Sequence, residues 1–342
     1  MGKDDGRNAL TRVSMNGRLL VFNCHEAWVH QLRFLKRPLD IVVDLPGRHT
    51  RGWDEAMRPV PPNARLIPLC EVLAARETYD CIIAHNLTDL LDVKALPGPR
   101  LLVIHLTLDG IILEQQSQMD PQEFRSAVAR YVAQTGTHVV AVSRLKGRSW
   151  GFTQDVVTLA VDPADYLPWR GDIAAGLRVS NFLTRRAQTL LLDFHRQAFA
   201  AVRVTLMGHN PELPGVAPSR DWADLKDALS RHRFFIHTAN PRLEDGYNTA
   251  TLEAMAAGLP VLGNRNPSSP ITHGADGFLS DHPAILTYHA RMLLEDRVLA
   301  EKMGQAARRT VQQRFSPVTF ASAFERSIAT AQEKALALCG LR

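Results

Sequence analysis

The 342-residue chain is short of several features, and each shortage excludes a class of protein. No apolar run approaches the roughly 18 residues that cross a bilayer. The N-terminal Met1-Gly2-Lys3-Asp4-Asp5-Gly6-Arg7 lacks a signal-peptide core, so the chain reads as cytoplasmic. The four cysteines, Cys24, Cys70, Cys81 and Cys339, stand singly, which excludes a disulfide framework or a Cys-x2-Cys zinc site and predicts reduced thiols, three of them in the core. His25 and His30 are five apart and diverge by about 140° on a helix, missing the spacing of a helical zinc pair. The net charge of +5 is too small and too dispersed for a nucleic-acid binder, although it suits an anionic substrate. Neither a low-complexity run nor a solenoid-period repeat is present.

What is present is alternation. Short apolar runs at Leu19–Phe22, Asp40–Asp44, Leu66–Pro68, Cys81–Ala84, Leu101–Ile104 and Val139–Val142 predict strands of a first half. Helical segments fall between them at Ala27–Leu35, Glu71–Arg76, Asp89–Leu96 and Pro121–Ala133. A second alternation has strands at Leu177–Ser180, Val202–Met207, Phe234–Thr238 and Pro260–Gly263, with helices at Arg185–Ala200, Pro283–Glu295, Ala300–Phe315 and Pro317–Ala337. This pattern builds parallel sheets covered on both faces. The length suits two domains, and the turn-rich Asp162–Gly171 is the expected linker. The divisions expected are a flexible 1–16, a first domain over 17–165, a second over 166–316 and a closing helix over 317–342.

The most informative stretch is Leu243–Val261. Gly246 allows a tight turn, Asn248 or Thr249 can cap a helix, and Thr249–Ala257 is rich in helix formers before Gly258-Leu259-Pro260 stops it. Asp245 and Glu253 then sit at opposite ends of one short helical stretch, about 12 Å apart along its rise. They are expected to contact different parts of one extended ligand. The helix N-terminus, with unpaired N–H groups and the positive end of the dipole, favours a diphosphate or sugar hydroxyls.

Asp245–Val261 resembles the acidic-x7-Glu signature of the family 4 glycosyltransferases of GT-B architecture. Asp245 takes the place of the first Glu, Tyr247 of Phe and Asn248 of the second Gly, while Glu253, Ala254, Gly258, Pro260 and Val261 match outright. Met207-Gly208-His209-Asn210-Pro211 is similar to the family's Gly-x-Gly-Pro turn, and Asp276-Gly277-Phe278-Leu279 to its Asp-Gly turn. The implied fold is α/β with GT-B architecture, two Rossmann-like domains facing across a cleft and a C-terminal helix crossing back to the first. The implied activity is hexosyl transfer from a nucleotide-diphosphate sugar of UDP or GDP type, with retention. The resemblance further implies that Glu253 binds the ribose hydroxyls. It implies that Asp245 and the backbone of Gly246, Tyr247, Asn248 and Thr249 hold the donor sugar, with Gly208 and His209 near the nucleotide.

Departures from the family pattern are as informative. Where the family carries an Arg and a Lys against the diphosphate, this chain reads Ser180-Asn181-Phe182-Leu183-Thr184-Arg185-Arg186, which puts Asn181 at the Arg position and Arg186 at the Lys position. Arg185 or Arg186 can still contact phosphate, because a guanidinium offers a planar fork. The glycine pair expected after the first strand is replaced by Asn23-Cys24-His25-Glu26. His105, at the end of Leu101–Ile104, occupies the family's histidine position beside the donor sugar, with His85 as its rival.

Asp245, His105 and Arg186 are thus the candidate catalytic residues. Glu253, Arg185, Gly208, His209, Gly246, Tyr247, Asn248 and Thr249 are the candidate donor-binding ones. No Asp-x-Asp occurs, so neither a metal site nor an obligatory divalent cofactor is expected. The expected partners are the nucleotide sugar and a glycan, lipid-linked or small-molecule acceptor. Arg144–Trp150 and Trp28–Arg37 mix basic and aromatic residues that suit peripheral contact with a membrane's inner face. Two other readings stay open, a degenerate donor- or partner-binding subunit and a nucleotide-sugar epimerase.

Overall fold

A computed structural model describes residues 17–45, 47–48, 51–151, 155–338 and 340. The expectation for residues 1–16 lies outside these, as does the one for Cys339. The first sheet has six parallel strands: β1 (Leu19–Phe22), β2 (Leu39–Val43), β3 (Ala64–Pro68), β4 (Cys81–Ala84), β5 (Arg100–Ile104) and β6 (His138–Ala141). Their order is β3-β2-β1-β4-β5-β6. The order reverses between β1 and β4, and the crevice beyond the C-terminal ends of strands at such a reversal is where open parallel sheets bind ligands. β1, β4 and β6 are buried along their whole length, because helices cover both faces.

The second sheet is parallel too, with β7 (Ile173–Val179), β8 (Val204–Met207), β9 (His232–Ile236), β10 (Val261–Gly263) and β11 (Gly277–Leu279) in the order β11-β10-β9-β7-β8. The helices of the first half are α1 (Glu26–Val29), α2 (Leu69–Ala75), α3 (Leu87–Asp92), α4 (Leu108–Glu114), α5 (Pro121–Thr135) and α6 (Arg144–Trp150). Those of the second are α7 (Leu192–Phe199), α8 (Trp222–Arg231), α9 (Thr249–Ala257), α10 (Pro283–Glu295), α11 (Arg297–Arg314) and α12 (Pro317–Leu338).

α12 crosses back onto the first sheet, as expected. It buries Phe320, Phe324, Ile328 and Ala331. Fully burying each of the larger three contributes about 1.5–3 kcal/mol. Phe324 packs near Trp28, Arg37 pairs with Glu325 at 3.0 Å, and Lys334 reaches His138 at 3.1 Å. The two segments that pass between the halves touch each other, since the Val161 amide donates to the Phe315 carbonyl at 3.0 Å and Arg308 donates to the Pro163 carbonyl at 2.9 Å.

Several elements differ from expectation. The helix expected over Arg185–Ala200 is confined to α7, and residues 183–191 form turns. The Leu190 carbonyl is taken by Arg178 at 3.0 Å and Thr238 at 2.6 Å, and that of Thr189 by the Asn240 amide at 2.8 Å. Leu191 then turns left-handed, with φ of 48°. The segment after α1 tightens into a 3-10 helix over His30–Leu35, ending at left-handed Lys36. α4, α6 and β11 are too short to carry a legible period, whereas α8, with Trp222, Leu225 and Leu229 along one face behind an Asp221 cap, escapes the sequence reading although its pattern is present. Of the described cysteines, Cys81 is buried, Cys24 half-buried and Cys70 exposed, so the expectation of three core thiols does not hold.

Candidate active site

The two sheets meet through the loops beyond their C-terminal edges. Thr107, after β5, donates to the Leu243 carbonyl at 2.9 Å, and α6 carries Lys146 against the loop after β9. In that loop Asp245 lies ahead of the helix rather than on it, and Glu253 sits mid-helix in α9. The expected placement at two ends of one helix is corrected accordingly. Asn248 is the cap: its Oδ1 accepts from the Thr251 amide at 2.8 Å and from the Thr251 hydroxyl at 2.9 Å. Gly258 closes the helix with φ of 88°. At Gly246 a Cβ would come within 2.9 Å of Ser269, so only glycine lets the 266–269 loop seat there, and Ser268 Oγ accepts the Gly246 amide at 2.8 Å.

Lys146 is the centre of the charge network. Its Nζ lies 2.8 Å from Glu244 and 3.1 Å from Asp245, all three buried. Burial alone lowers a lysine's pKa, but these two carboxylates outweigh it and hold Lys146 above its ordinary value. Burial likewise works against ionised Glu244, yet Lys146 brings its pKa below the usual one. Asp245 Oδ1 is buried and has no hydrogen-bond partner among the described residues. A buried carboxylate oxygen without a donor costs free energy until something donates to it. His237, at the end of β9, contacts the Asp245 carbonyl at 3.1 Å, and burial holds its pKa down at about 4.

Glu253 is engaged from the other half of the molecule. Arg58, in the loop after β2, pairs with it, and the Tyr166 hydroxyl donates to the same oxygen at 2.9 Å. Burial first, and then the Glu253 carboxylate, push the Tyr166 phenol well above its ordinary pKa, so it remains a donor. Arg58 also lies over the Trp222 ring at 4.8 Å. Arg186 bridges the halves in the opposite sense, with Glu114 at 2.8 Å and Glu244 at 3.4 Å, while Arg185 is exposed.

The remaining sequence-predicted positions divide between framework and surface. Gly208, at φ of 134°, lies where a Cβ would be 2.3 Å from the Ser180 carbonyl, and Asn181 accepts the His209 amide at 2.8 Å. His209 is exposed against Phe182, and Asn210 is a buried brace between Ser180 and Leu183. The Tyr247 ring packs on Phe315, leaving its backbone to face the turn, and Thr249 opens α9 half-buried.

His105 and His85 are not rivals but neighbours. Their Nε2 and Nδ1 lie 2.9 Å apart, and Cys24 Sγ is 3.9 Å from His105. Burial holds His85 down at about 3 and His105 well below the usual range, so both rings are neutral near pH 7. Sequence reasoning missed Lys146, Glu244, Arg58 and Tyr166. The only available signals were the adjacency of Glu244 to Asp245 and the lysine inside 144–150. In that basic-aromatic stretch Lys146 and Trp150 are buried, with Trp150 Nε1 donating to the Leu106 carbonyl at 3.0 Å, while Arg144 and Arg148 are exposed. Trp28 and Arg37 are buried as well, with Arg33 and Phe34 half-buried and Lys36 exposed between them. No helix among the described residues is long and apolar enough to cross a membrane.

Residues 185–326 match the family model described as glycosyl transferase-like. Among solved structures, the chain is similar to Anabaena HepE in complex with UDP and glucose, at 17% identity and a TM-score of 0.65, covering 92% of this chain and 100% of that one. It is similar to sucrose-phosphate synthase from Thermosynechococcus elongatus at 15% identity and 0.65, over 90% and 97% of the two chains. A third likeness is to S. aureus TarM, crystallised with fondaparinux, alpha-GlcNAc-glycerol and UDP, at 14% and 0.57 over 76% and 58%. No curated protein matches the sequence. The sheet orders and the returning α12 are those of a GT-B fold, and residues 185–326 of the second half carry the glycosyl transferase-like match. Asp245–Glu253, whose spacing resembles the acidic-x7-Glu signature of family 4, falls inside the matched residues.

Proposed function

We propose that the protein transfers a hexosyl group from a UDP-type sugar nucleotide to a glycan or small-molecule acceptor, with retention and without an obligatory divalent ion. The observation that carries this reading is the unpartnered Asp245 Oδ1, buried at the turn that feeds an Asn248-capped helix. A donor-sugar hydroxyl supplies the missing hydrogen bond, and the backbone amides of Tyr247–Thr249 face the same ligand, that of Gly246 being held by Ser268. Arg186, with Arg185 beside it, meets the charge that grows on the leaving diphosphate. His105 stands at the first sheet's edge against the sugar, and Gly208 and His209 border the nucleotide. HepE, of the same fold, has been crystallised with UDP-glucose, which supports the uridine base.

Glu253 binds the ribose once Arg58 releases it. The Arg58 guanidinium and Tyr166 hydroxyl are donors to the same carboxylate that ribose hydroxyls would use. In the transfer itself, the acceptor oxygen bonds to the anomeric carbon as the carbon–oxygen bond to the diphosphate breaks. The acceptor proton passes to a departing phosphate oxygen on the same face.

Thermal shifts of wild type and Glu253→Ala against UDP, GDP and their sugars test the donor site. UDP at one hundred times its Kd adds about 2.7 kcal/mol of stability to the wild type. The same nucleotide leaves Glu253→Ala unshifted; an equal shift in both proteins removes Glu253 from the site. NMR of the first-formed product reads the anomer, and inversion overturns retention. Loss of transfer in a chelator that Mg(II) or Mn(II) restores and Zn(II) does not overturns the metal-free mechanism. A second reading, donor binding without turnover, is favoured by the Arg58–Glu253 pair and by Asn181 at the usual Arg position. Donor hydrolysis without acceptor excludes it.

A further inference from the structure

Three adjacent strands of the first sheet, β1, β4 and β5, end on residues with soft or borderline donor atoms. Cys24 follows β1 by two positions, and His85 and His105 follow β4 and β5 directly. One ligand atom from each lies within 4.8 Å of the other two, the only such group of three His, Cys, Asp or Glu side chains among the described residues. Tetrahedral zinc, with Zn–S of about 2.3 Å and Zn–N of about 2.0–2.1 Å, sets sulfur–nitrogen and nitrogen–nitrogen separations near 3.6 and 3.3 Å. The observed 3.9 Å between Cys24 Sγ and His105 Nε2 and 2.9 Å between the histidine nitrogens straddle those values. The third separation, between Cys24 and His85, is within 4.8 Å, so seating one ion calls for side-chain rotation that draws the sulfur inward.

The surroundings favour the same outcome. The Trp28 ring stands edge-on to both imidazoles, with centroids 4.7 and 5.0 Å away, and restrains their planes. The contact between the two histidines needs a proton on one of the facing nitrogens, and an ion replaces that proton while using both lone pairs. Cys24 and His105 keep partial exposure, which gives an ion a path in and leaves a fourth coordination position for water. Burial, with the Asp89 and Glu26 carboxylates nearby, keeps Cys24 a thiol, so binding releases its proton to solvent. The resulting thiolate and two imidazoles are the donor set of zinc and cobalt rather than of magnesium or calcium.

We propose that Cys24, His85 and His105 form a binding site for a thiophilic divalent transition ion, zinc by its chemistry, at the strand ends that flank the first sheet's reversal point. His105 is shared with the donor reading, so the site is scored by the Co(II) spectrum and by Cys24 alkylation, neither of which needs a nucleotide. The test is titration of the full chain with Co(II), followed by zinc competition against a chromophoric chelator. Binding of one equivalent with a thiolate-to-cobalt charge-transfer band and tetrahedral d–d intensity is expected. Cys24→Ser loses the charge-transfer band, and Cys24→Ser and His105→Gln each weaken zinc by at least about tenfold, the scale on which even outer-shell partners act. His25→Ala, as a control, leaves binding unchanged. In the wild type, zinc also slows alkylation of Cys24, mapped by mass spectrometry, a readout that does not depend on a variant folding. Absence of the charge-transfer band, zinc affinity unchanged in folded Cys24→Ser and His105→Gln, or alkylation of Cys24 indifferent to zinc overturns the proposal.

Discussion

The two faces that meet between the sheets are built on opposite terms. The second half presents acids, Glu244, Asp245 and Glu253, on a capped helix and its preceding turn, and the first half answers with Lys146 and Arg58. Arg186–Glu114 alone runs the other way. The acidic face is contiguous in sequence and announces itself by spacing. Its partners, one on helix α6 and one in the loop after β2, have no common pattern, because each is brought in by a different strand. A motif identifies the half that carries it, whereas the half that completes the site is specified only by the fold.

The largest expected effect breaks the joint between the halves rather than the site. Phe324→Ala empties a position between α12 and the first sheet and costs about 3–5 kcal/mol, read by chemical denaturation. A loss below 1 kcal/mol would show that α12 does not anchor the joint. Next, Lys146→Met leaves two buried carboxylates without their cation and costs about 3 kcal/mol. Adding Glu244→Gln and Asp245→Asn recovers most of it, and the absence of recovery in that triple variant would separate the charge argument from packing.

A pH series sharpens the comparison within each half. His30 and His195 are held at about 3 and His237 and His138 at about 4, chiefly by burial. Their folded pKa values lie below the ordinary 6.5, so the unfolded chain binds more protons as pH falls. Stability is therefore full above about 6.5 and is lost toward pH 4, each histidine contributing up to about 1.4 kcal/mol per pH unit. Thermal melts between pH 8 and 4, as approximate limits, check this, and a flat profile contradicts it. Smallest is Arg58→Ala, which frees Glu253 and tightens UDP by up to about tenfold, or 1.4 kcal/mol, by calorimetry. Weaker binding would instead make Arg58 a donor contact.

Legibility followed locality. β1, β4, α9 and α10 match their apolar runs, caps and stops almost residue for residue, since turn formers and helix formers act within a few positions. The span 183–191 misled because its composition is helical while its carbonyls are claimed by Arg178, Thr238 and Asn240 from elsewhere in the chain. Asp245 and Glu253 were legible as residues but not as a geometry. That Glu253 would meet Arg58 and Tyr166, or that His85 and His105 would touch, depends on strand order, which no spacing along the chain encodes.

The Val161–Phe315 hydrogen bond has a mechanical consequence. The polypeptide passes between the two halves twice, and at this bond the two passages are laced side by side. A single tether would let one half swivel freely; two tethers joined at one point form a hinge pin. Twisting shears the bond, whereas bending about it does not.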